Sequence, residues 1–387
     1  MRSLLAFITL SLLSLGAALG ATPRTGADRL EALLPLLEGK KVGFTGNGTS
    51  VLSDAEHTLL PDTLLASGIE IVRLFSPEHG FRGTADAGAK VSSGRDPETG
   101  LPVVSLYGKN KKPTARDLRG IEVMVIDLQD VGVRFFTYLS TMYYVLDACT
   151  EAEIPVILLD RPNPHDAVDG PMPDPSKKSF ISLLPIPAVH GLTMGELAYM
   201  IYGEKWLTSH KTPQLTIVKC EGWRHGDSYA LPSPPSPNLR SVRAIELYPT
   251  LCFFEGTSWS VGRGTERPFE QIGYPRKGLG PNRFVPRPSK GASHPMYNGK
   301  ACYGPDLTEI SFARGIDVEF LVEMARLSRE KGITFITRPD HFDLLAGTAK
   351  LRRQLERGLS AREIRKSWDP GLSSYKILRS KYLLYDE

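Results

Sequence analysis

Short, continuously apolar segments alternate with helical patterns along much of the chain, and this alternation constrains the fold more than any other feature. Several of these segments are rich in Val, Ile and Leu and lack the polar alternation of a half-exposed strand. Such segments are typical of parallel strands that are buried on both faces of a sheet. The pattern predicts strands at 41–46, 69–76, 102–107, 121–128, 154–160 and 214–220.

Helical patterns occupy stretches between the strands, at 59–68, 134–153 and 193–207. Thr193 and Glu196 have the spacing of a capping box, which predicts a helix start at that point. Strands that alternate with helices along the chain favour an α/β fold with a parallel sheet, in which each crossover is right-handed. We expect a doubly wound, mostly parallel sheet with helices on both faces.

The chain has 387 residues, which is more than one hydrophobic core usually supports, so two domains are expected. The segment LPSPPSPN at 231–238 predicts a rigid loop or a linker, because proline excludes a helix or a central strand there. We place a larger, catalytic domain at 22–245 and a smaller α+β domain at 246–387 that closes a cleft against it. In the smaller domain the pattern predicts helices at 317–331, 345–358 and 361–368.

The N-terminus has the layout of a secretory signal peptide. Arg2 precedes an apolar run, and small residues around Gly20 and Ala21 follow that run. The run is shorter than the roughly 20 apolar residues that a membrane-spanning helix needs. We therefore expect residues 1–21 to be a signal peptide. The mature protein is then exported, to the periplasm or the exterior, without a stable membrane span.

Composition and cysteine spacing restrict the function classes further. Charged residues make up 23% of the chain, the formal net charge is +4, and no long block of like charges occurs, so no nucleic-acid partner is expected. The cysteines lack the CxxC spacing of zinc or redox sites. Disulfides and buried free thiols are both compatible with an exported protein. The four cysteines are Cys149, Cys220, Cys252 and Cys302.

Polar residues cluster directly after the predicted strands. In an open parallel sheet the loops at the carboxyl ends of the strands converge, and ligands bind there. This clustering predicts a functional site at that edge of the sheet. Its candidate residues are Asn47, Glu78, His79, Arg82, Asp127, Gln129, Asp130, Arg134, Asp160, Arg161, Asn163 and His190.

Glu78 and His79 are the strongest of these candidates. Pro77 and Gly80 restrict the backbone around them, so both side chains are held in place. Apolar neighbours favour a raised pKa for Glu78, as a general acid requires. A salt bridge between Glu78 and Arg82 is the structural alternative. A metal site is a further hypothesis, but no HxH or HxxxH spacing supports it, so no metal is expected.

Structural roles are equally open for other residues at this edge. Asp127 and Asp130 could pair with Arg134 at a helix start, where the helix dipole favours carboxylates. The run after Arg161 could be a stiff turn. His190 could be a hydrogen-bonded histidine at the entry to a helix.

The second half contains the segment FFEGTSWSVGRGTERPFEQIG. Arg263 lies between two glycines and is a candidate donor to an anion, since glycine permits close approach. Glu255 and Glu266 are acidic candidates, and Trp259 either stacks on a sugar or packs between the domains.

Near the first strand, GNG at 46–48 lacks the spacing of a dinucleotide fingerprint, so no NAD or other cofactor is expected.

Six motifs, in order, resemble the NamZ family of exo-β-N-acetylmuramidases: SPEHGFRG, DLQDVGVRFFTY, LDRPNP, HGLTMGELA, SPNL and LCFFEGTSWSVGRGTERPFE. The tail motifs FDLLAGT, SWDPGL and KYLLY are similar to the C-terminal domain of that family. The resemblance implies a Rossmann-like N-terminal domain and a smaller C-terminal domain, with the active site in the cleft between them. Ser258 and Phe136 depart from the residues common in relatives, which bears on fine specificity.

The activity implied by the resemblance is removal of terminal N-acetylmuramic acid (MurNAc) from the non-reducing end of peptidoglycan fragments during cell-wall turnover. Muropeptides and MurNAc-GlcNAc oligosaccharides are the expected partners. Glu78 matches the family glutamate that is taken as the catalytic carboxylate, so we assign it the general acid role. His79 and Asp130 are further catalytic candidates, and Glu266 or the acetamido group of the substrate are alternatives for the second catalytic function.

The lactyl carboxylate of MurNAc needs a positive partner, for which Arg82, Arg134 and Arg263 are the candidates. Asn238 lies in the SPNL motif, and the resemblance implies that it binds substrate. The full set of predicted substrate-binding residues is Asn47, Arg82, Asp127, Gln129, Arg134, Asn163, His190, Asn238, Arg263 and Glu266.

Two other functions stay open on the sequence. An exported, non-catalytic protein that binds sugars or muropeptides would use the same residues without turnover. A metal-dependent hydrolase would act on amide or ester groups of the same polymer and would lose activity with a chelator.

Overall fold

The structure is a computed structural model that describes residues 22–82, 93–310, 312 and 314–387. The predicted signal peptide, 1–21, lies outside the described residues. Within the described ranges, no helix is both long and apolar enough to cross a membrane.

A seven-stranded sheet is the centre of the molecule, and all six predicted strands belong to it. The strand order is β3-β4-β2-β1-β5-β6-β9, and every neighbouring pair is parallel except the short edge strand β3, which is antiparallel to β4. The strands are β1 (Val42–Gly46), β2 (Ile71–Ser76), β3 (Gly94–Arg95), β4 (Pro102–Ser105), β5 (Val123–Asp127), β6 (Val156–Leu159) and β9 (Leu215–Val218). The remaining short strands form two antiparallel pairs, β7 (Val168–Asp169) with β8 (Val189–His190) and β10 (Asn282–Phe284) with β11 (Cys302–Gly304).

The central strands are buried on both faces, as their continuous apolar sequences predict. Successive residues of β5 point to opposite faces, so Val123 and Val125 belong to one hydrophobic cluster and Met124 and Ile126 to another. The fold class is therefore confirmed as a doubly wound α/β sheet.

Helices cover both faces of this sheet. Helices α1 and α2 pack into the hydrophobic cluster that contains Val123 and Val125. Helices α4 and α5 and most of the C-terminal half pack into the cluster that contains Met124 and Ile126. The helices are α1 (Leu30–Leu37), α2 (Leu60–Ala66), α3 (Ala115–Leu118), α4 (Tyr138–Ala152), α5 (Met194–Gly203), α6 (Val242–Leu251), α7 (Val318–Glu330), α8 (Pro339–Ala346), α9 (Lys350–Arg357), α10 (Ala361–Lys366) and α11 (Asp369–Arg379).

Two predictions about helix ends have different outcomes. The capping box at Thr193 is confirmed, since its side chain accepts from the Glu196 N–H and the Glu196 carboxylate accepts from the Thr193 N–H. The single helix predicted at 345–358 is wrong. Gly347 has a left-handed backbone (φ +69°) that ends α8, and a separate helix, α9, follows it.

The C-terminal half packs against the sheet through one continuous hydrophobic cluster. This cluster contains Ile126 of the sheet, Leu146 of α4, and Phe342 and Leu345 of α8. The proposed division at residue 245 stays a prediction. All four cysteines are buried free thiols, so of the two alternatives left open by the sequence the second is confirmed.

Candidate active site

The order of the strands creates a switch point between β1 and β5. The parallel strands follow the order 3-2-1-4-5-6, for which ligands commonly bind in the crevice at the carboxyl ends of the two central strands. Here the protein fills that crevice with its own loops. Ser233 Oγ donates to the Gly48 carbonyl (3.0 Å), and the Tyr138 hydroxyl donates to the Pro235 carbonyl (2.6 Å). The proline-rich segment 231–238 therefore covers the crevice.

Asn47 and Gln129 lie in this crevice and bind its loops to each other. Asn47 Oδ1 accepts from the backbone N–H and the hydroxyl of Thr49, at 3.0 and 2.6 Å. Gln129 Nε2 donates to the carbonyls of Asp130 and Pro162, both at 2.9 Å. Both side chains are buried and bonded to protein groups, so the structure gives them positions within the scaffold.

Asp127 and Arg161 form a buried, two-pronged ion pair in the same crevice. Arg161 Nε and Nη2 donate to the two Asp127 carboxylate oxygens at 2.6 and 2.9 Å. Nη2 also donates to the Val51 carbonyl at 2.9 Å. Burial raises the pKa of the Asp127 carboxyl, and the guanidinium opposes that shift. The alternative pairing of Asp127 with Arg134 is wrong, because Arg161 takes that place.

Asp130, Asn163 and His190 connect the loops that follow β5, β6 and β8. Asp130 Oδ2 accepts from the Gly132 N–H (2.6 Å) and from His190 Nε2 (3.2 Å). The other ring nitrogen of His190, Nδ1, accepts from the Leu192 N–H, which leaves the proton on Nε2. Asn163 Nδ2 donates to the Leu192 carbonyl at 2.9 Å. None of the three lines the large cleft described below.

Arg134 is fully buried and caps the C-terminal end of α8. Nη1 donates to the carbonyls of Pro171 and Ile186 at 3.0 and 2.7 Å, and Nη2 donates to the Leu345 carbonyl at 3.2 Å. Burial lowers the pKa of the guanidinium to about 9, so it stays protonated at neutral pH. This charge satisfies a helix terminus between the two halves. The role of Arg134 as a substrate ligand stays a prediction.

Arg82 is held by carboxylates outside the cleft. Nε and Nη2 donate to the two oxygens of Asp96 at 2.9 and 2.7 Å, and Glu98 lies 3.3 Å from Nη1. This hydrogen-bonded pair lowers the pKa of Asp96 to about 2. The alternative salt bridge from Arg82 to Glu78 is wrong, because the ion-pair partners of Arg82 among the described residues are Asp62, Asp96 and Glu98. The lactyl-binding role of Arg82 stays a prediction.

A cleft of about 740 Å³ lies between the two halves, displaced from the switch point toward β2 and β4. Its N-terminal wall includes Glu78, Tyr107, Phe135, Thr137 and Ile181. Its C-terminal wall includes Tyr248, Glu255, Trp259, Arg263, Arg338 and His341. Of the predicted substrate-binding and catalytic residues, the structure brings Glu78 and Arg263 to this cleft, together with the further candidates Glu255 and Trp259.

Parallel pairing of β2 with β4 places Glu78 beside Tyr107. Ser76 and Ser105 are partners in register, and each strand ends there, so the residues that follow are level with each other. Thr137 Oγ1, just before α4, donates to Glu78 Oε2 at 2.9 Å. Burial and the neighbouring Glu78 carboxylate together raise the pKa of the Tyr107 hydroxyl, so Tyr107 stays a hydrogen-bond donor at neutral pH.

His79 follows Glu78 with a left-handed backbone, φ +73°. This conformation is uncommon for residues other than glycine, and the His79 side chain is buried. The turn is closed by a hydrogen bond from the Gly80 N–H to the Pro77 carbonyl at 3.2 Å. Backbone strain at this point holds Glu78 in a defined position.

Glu255 and Arg263 form an ion pair on the opposite wall. Arg263 Nε donates to Glu255 Oε1 at 2.6 Å, and the guanidinium carbon lies 4.9 Å from the centre of the Phe269 ring. Burial disfavours the charged form of Glu255, but the attraction of Arg263 prevails and lowers the pKa of the carboxyl below its ordinary value. The pair is therefore ionised at neutral pH.

Arg338 and His341, at the start of α8, extend this wall. Arg338 Nη1 donates to the Glu255 backbone carbonyl at 3.4 Å. Burial lowers the pKa of His341, and the cations Arg338 and Arg263 lower it further, although Glu255 opposes them. His341 is therefore neutral at neutral pH.

Two further predicted residues lie elsewhere. Glu266 is exposed and does not line the cleft, and both roles proposed for it stay predictions. Asn238 is buried and does not itself line the cleft. Its Nδ2 donates to the carbonyl of the cleft residue Gly291 at 2.8 Å, so Asn238 supports the cleft wall. Trp259 is buried with its indole N–H bonded to Ser328 Oγ at 2.9 Å, which agrees with packing rather than with sugar stacking.

Sequence reasoning missed four cleft residues: Tyr107, Thr137, Arg338 and His341. Tyr107 directly follows a predicted strand, so the rule that identified Glu78 would have identified it as well. Thr137 precedes a predicted helix. Arg338 and His341 lie at a helix start that was not predicted, and no local pattern marks them. Among the described residues, no three His, Cys, Asp or Glu side chains form a group that could hold a metal ion.

Comparison with known proteins gives consistent matches over both halves. The family model for the N-terminal part of exo-β-N-acetylmuramidase NamZ matches residues 42–243, and the model for its C-terminal part matches 246–385. The peptidoglycan β-N-acetylmuramidase NamZ of Bacillus subtilis is 35% identical, over 94% of this chain and 91% of that protein.

Solved structures agree in fold. A crystal structure of a DUF1343 family protein from Bacteroides fragilis has a TM-score of 0.85 and 38% identity, covering 95% of this chain and 100% of that one. A second DUF1343 family protein from the same species has a TM-score of 0.81 and 30% identity, covering 94% and 99%.

Proposed function

This chain belongs to the NamZ family of exo-β-N-acetylmuramidases, and from that premise we propose how its cleft acts on peptidoglycan. The protein is a glycoside hydrolase, an exo-acting β-N-acetylmuramidase that removes terminal MurNAc from the non-reducing end of the polymer. Its substrates within that class are muropeptides and MurNAc-GlcNAc oligosaccharides.

Glu78 acts as the general acid that protonates the glycosidic oxygen of the leaving sugar. The observation that carries this assignment is its position: a half-buried carboxylate at the end of β2 that lines the cleft between the two halves. Thr137 and Tyr107 position the carboxylate, and the strained turn at His79 limits its movement. The catalytic roles of His79 and Asp130 stay predictions.

The experiment replaces Glu78 with glutamine, which has the same shape but cannot release a proton. We expect kcat on a MurNAc-GlcNAc disaccharide, whose leaving sugar must be protonated, to fall by about 10²- to 10⁴-fold, the range typical of general acid–base catalysis. Glu98→Gln is the matched control, since Glu98 is exposed and outside the cleft. Full turnover by Glu78→Gln would remove Glu78 from this role. No release of MurNAc by folded parent protein, from the chromogenic substrate or from a disaccharide, would refute the function.

We also propose that residues 1–21 direct export to the periplasm or the exterior. The apolar run behind Arg2 and the polymeric cell-wall substrate both support this location. Mass spectrometry of the protein from its native cells should find an N-terminus near residue 21 or 22. An intact N-terminus in the cytosolic fraction would contradict export.

A further inference from the structure

Arg263 is fixed on three sides. Glu255 holds Nε at 2.6 Å, and the Phe269 ring lies against the guanidinium. The flanking Gly262 and Gly264 have left-handed backbones, φ +75° and +80°. A Cβ on Gly264 would lie 2.4 Å from a backbone carbonyl, so the loop requires glycine there. The geometry thus allows the guanidinium little freedom.

The terminal amino groups of Arg263 are nevertheless open to the cleft. The side chain is 24% exposed and lines the cleft wall. Among the described residues, none accepts a hydrogen bond from Nη1 or Nη2. A guanidinium with Nε occupied and two adjacent amino groups available is a suitable planar donor for a carboxylate.

The charge of the wall also suits one anion. Arg263 and Arg338 carry two positive charges, Glu255 carries one negative charge, and His341 is neutral at neutral pH. One positive charge is therefore in surplus, while Glu78 lies on the other wall. The other two arginines considered from sequence are satisfied elsewhere, Arg82 by Asp96 and Arg134 by backbone carbonyls.

We infer that Arg263 binds the lactyl carboxylate of the terminal MurNAc and that Glu255 is a positioning residue that orients its guanidinium. The inference rests on the proposed exo-muramidase function. Because the lactyl ether is the group that distinguishes MurNAc from N-acetylglucosamine, Arg263 is then the residue that determines the specificity of the site.

The test compares two ligands of nearly the same shape: free MurNAc and its lactyl methyl ester, which lacks the negative charge. Binding is measured by titration calorimetry at pH 7 on the full chain. We expect the parent protein to bind the acid about 10- to 100-fold more tightly than the ester, as a charge-assisted, two-pronged contact implies. Equal affinity for the two ligands would overturn the inference.

Arg263→Met keeps the apolar stem on Phe269 and removes the charge. It should lower acid binding to the ester level and change ester binding by less than about 2-fold. Arg263→Lys keeps the charge but loses the fork, so it should keep only part of the preference. Arg263→Met leaves the Glu255 carboxylate unpaired, which could destabilise the fold. The double variant Arg263→Met/Glu255→Gln removes both charges and serves as the second test if the single variant does not fold. A preference of 10-fold or more in either Met variant would overturn the assignment.

Glu255→Gln tests the positioning role alone. It should reduce the preference for the acid by about 3- to 10-fold and leave ester binding unchanged, whereas a merely structural role would weaken both ligands alike. On a chromogenic N-acetylmuramide it should raise KM with little change in kcat. Equal weakening of acid and ester would refute positioning by Glu255.

Arg267→Lys is the matched control, since Arg267 lies four residues away, pairs with Glu270 at 3.3 Å and is outside the cleft. It should keep the full acid preference. Arg338→Met should reduce the preference less than Arg263→Met does, and the reverse order would give the lactyl site to Arg338 and overturn the inference.

Failure of this inference is separable from failure of the proposed function, because binding of a free monosaccharide needs no turnover. A parent protein that hydrolyses the muramide but shows no acid preference retains its function and loses the role of Arg263. A parent protein that shows the preference without hydrolysis retains the role of Arg263 and loses the enzymatic function.

Discussion

The switch-point crevice and the cleft lie at the same edge of one sheet, yet the polar residues of the crevice are buried and those of the cleft are partly exposed. In the crevice, Asp127 is paired with Arg161, and Asn47 is bonded to its own loop. In the cleft, Glu78 and Arg263 are partly exposed and face a space of about 740 Å³. The comparison shows that polar residues that follow parallel strands can stabilise the fold as well as bind a ligand.

Solvent access is the physical difference between the two regions. A buried polar group must be bonded to the protein, since an unsatisfied one is costly in a low-dielectric interior. A group that faces a water-filled cleft can exchange water for substrate without that penalty. The chain covers its switch point with the proline-rich segment 231–238 and leaves the ends of β2 and β4 open under the C-terminal half.

Asp127→Asn should have the largest effect and should act on stability alone. It leaves the buried Arg161 guanidinium without its counter-charge, and breaking such a pair typically costs about 3–5 kcal/mol. Chemical denaturation measures the loss. In the fraction that is folded, kcat/KM should stay within about 3-fold of the parent value. A specific loss of activity without a loss of stability would place Asp127 in the substrate machinery and break the comparison.

Arg82→Met should lower stability by about 2 kcal/mol at pH 7, because the depressed pKa of Asp96 is lost with its partner. The folded pKa of Asp96, about 2, lies below its unfolded value. The contribution is therefore complete above the unfolded pKa and disappears as the pH falls through the folded pKa. Denaturation curves at pH 7 and pH 3 should show the difference between parent and variant reduced to about half at pH 3. A difference that is independent of pH would contradict this pairing.

Tyr107→Phe should affect the cleft without affecting the fold. Removal of the hydroxyl beside Glu78 should lower kcat by about 10-fold, equivalent to about 1.4 kcal/mol, with KM nearly unchanged. Tyr144→Phe is the control, because Tyr144 belongs to an aromatic cluster outside the cleft. An unchanged kcat would reduce Tyr107 to a packing residue.

Glu266→Gln should have the smallest effect. Glu266 is exposed and outside the cleft, and surface substitutions usually change stability by less than about 0.5 kcal/mol. The kcat/KM on a chromogenic N-acetylmuramide should stay within about 2-fold of the parent value. A larger loss would return Glu266 to the site and show that the cleft extends beyond its present walls.

Strand positions were largely predictable from sequence, because burial on both faces leaves a continuous apolar pattern in the central strands. The capping box at Thr193 was predictable because its two partners are three residues apart. The break at Gly347 was not predicted, because the apolar spacing continues across it and only the left-handed backbone separates α8 from α9. Of the candidate site, Glu78 and Arg263 were identified in advance, whereas Arg338 and His341 have no local signature.

The sequence by itself determined the α/β order, the sheet edge at which polar residues gather, and the family to which the chain is similar. These properties depend on local patterns and on ordered motifs. The tertiary structure alone decided which of the gathered residues face a cleft. Arg161 reaches Asp127 from 34 positions away, and Arg134 reaches Leu345 from 211 positions away. Such partners are brought together by packing across the whole chain, and their contacts withdraw some polar residues into the scaffold and leave Glu78 and Arg263 beside the cleft.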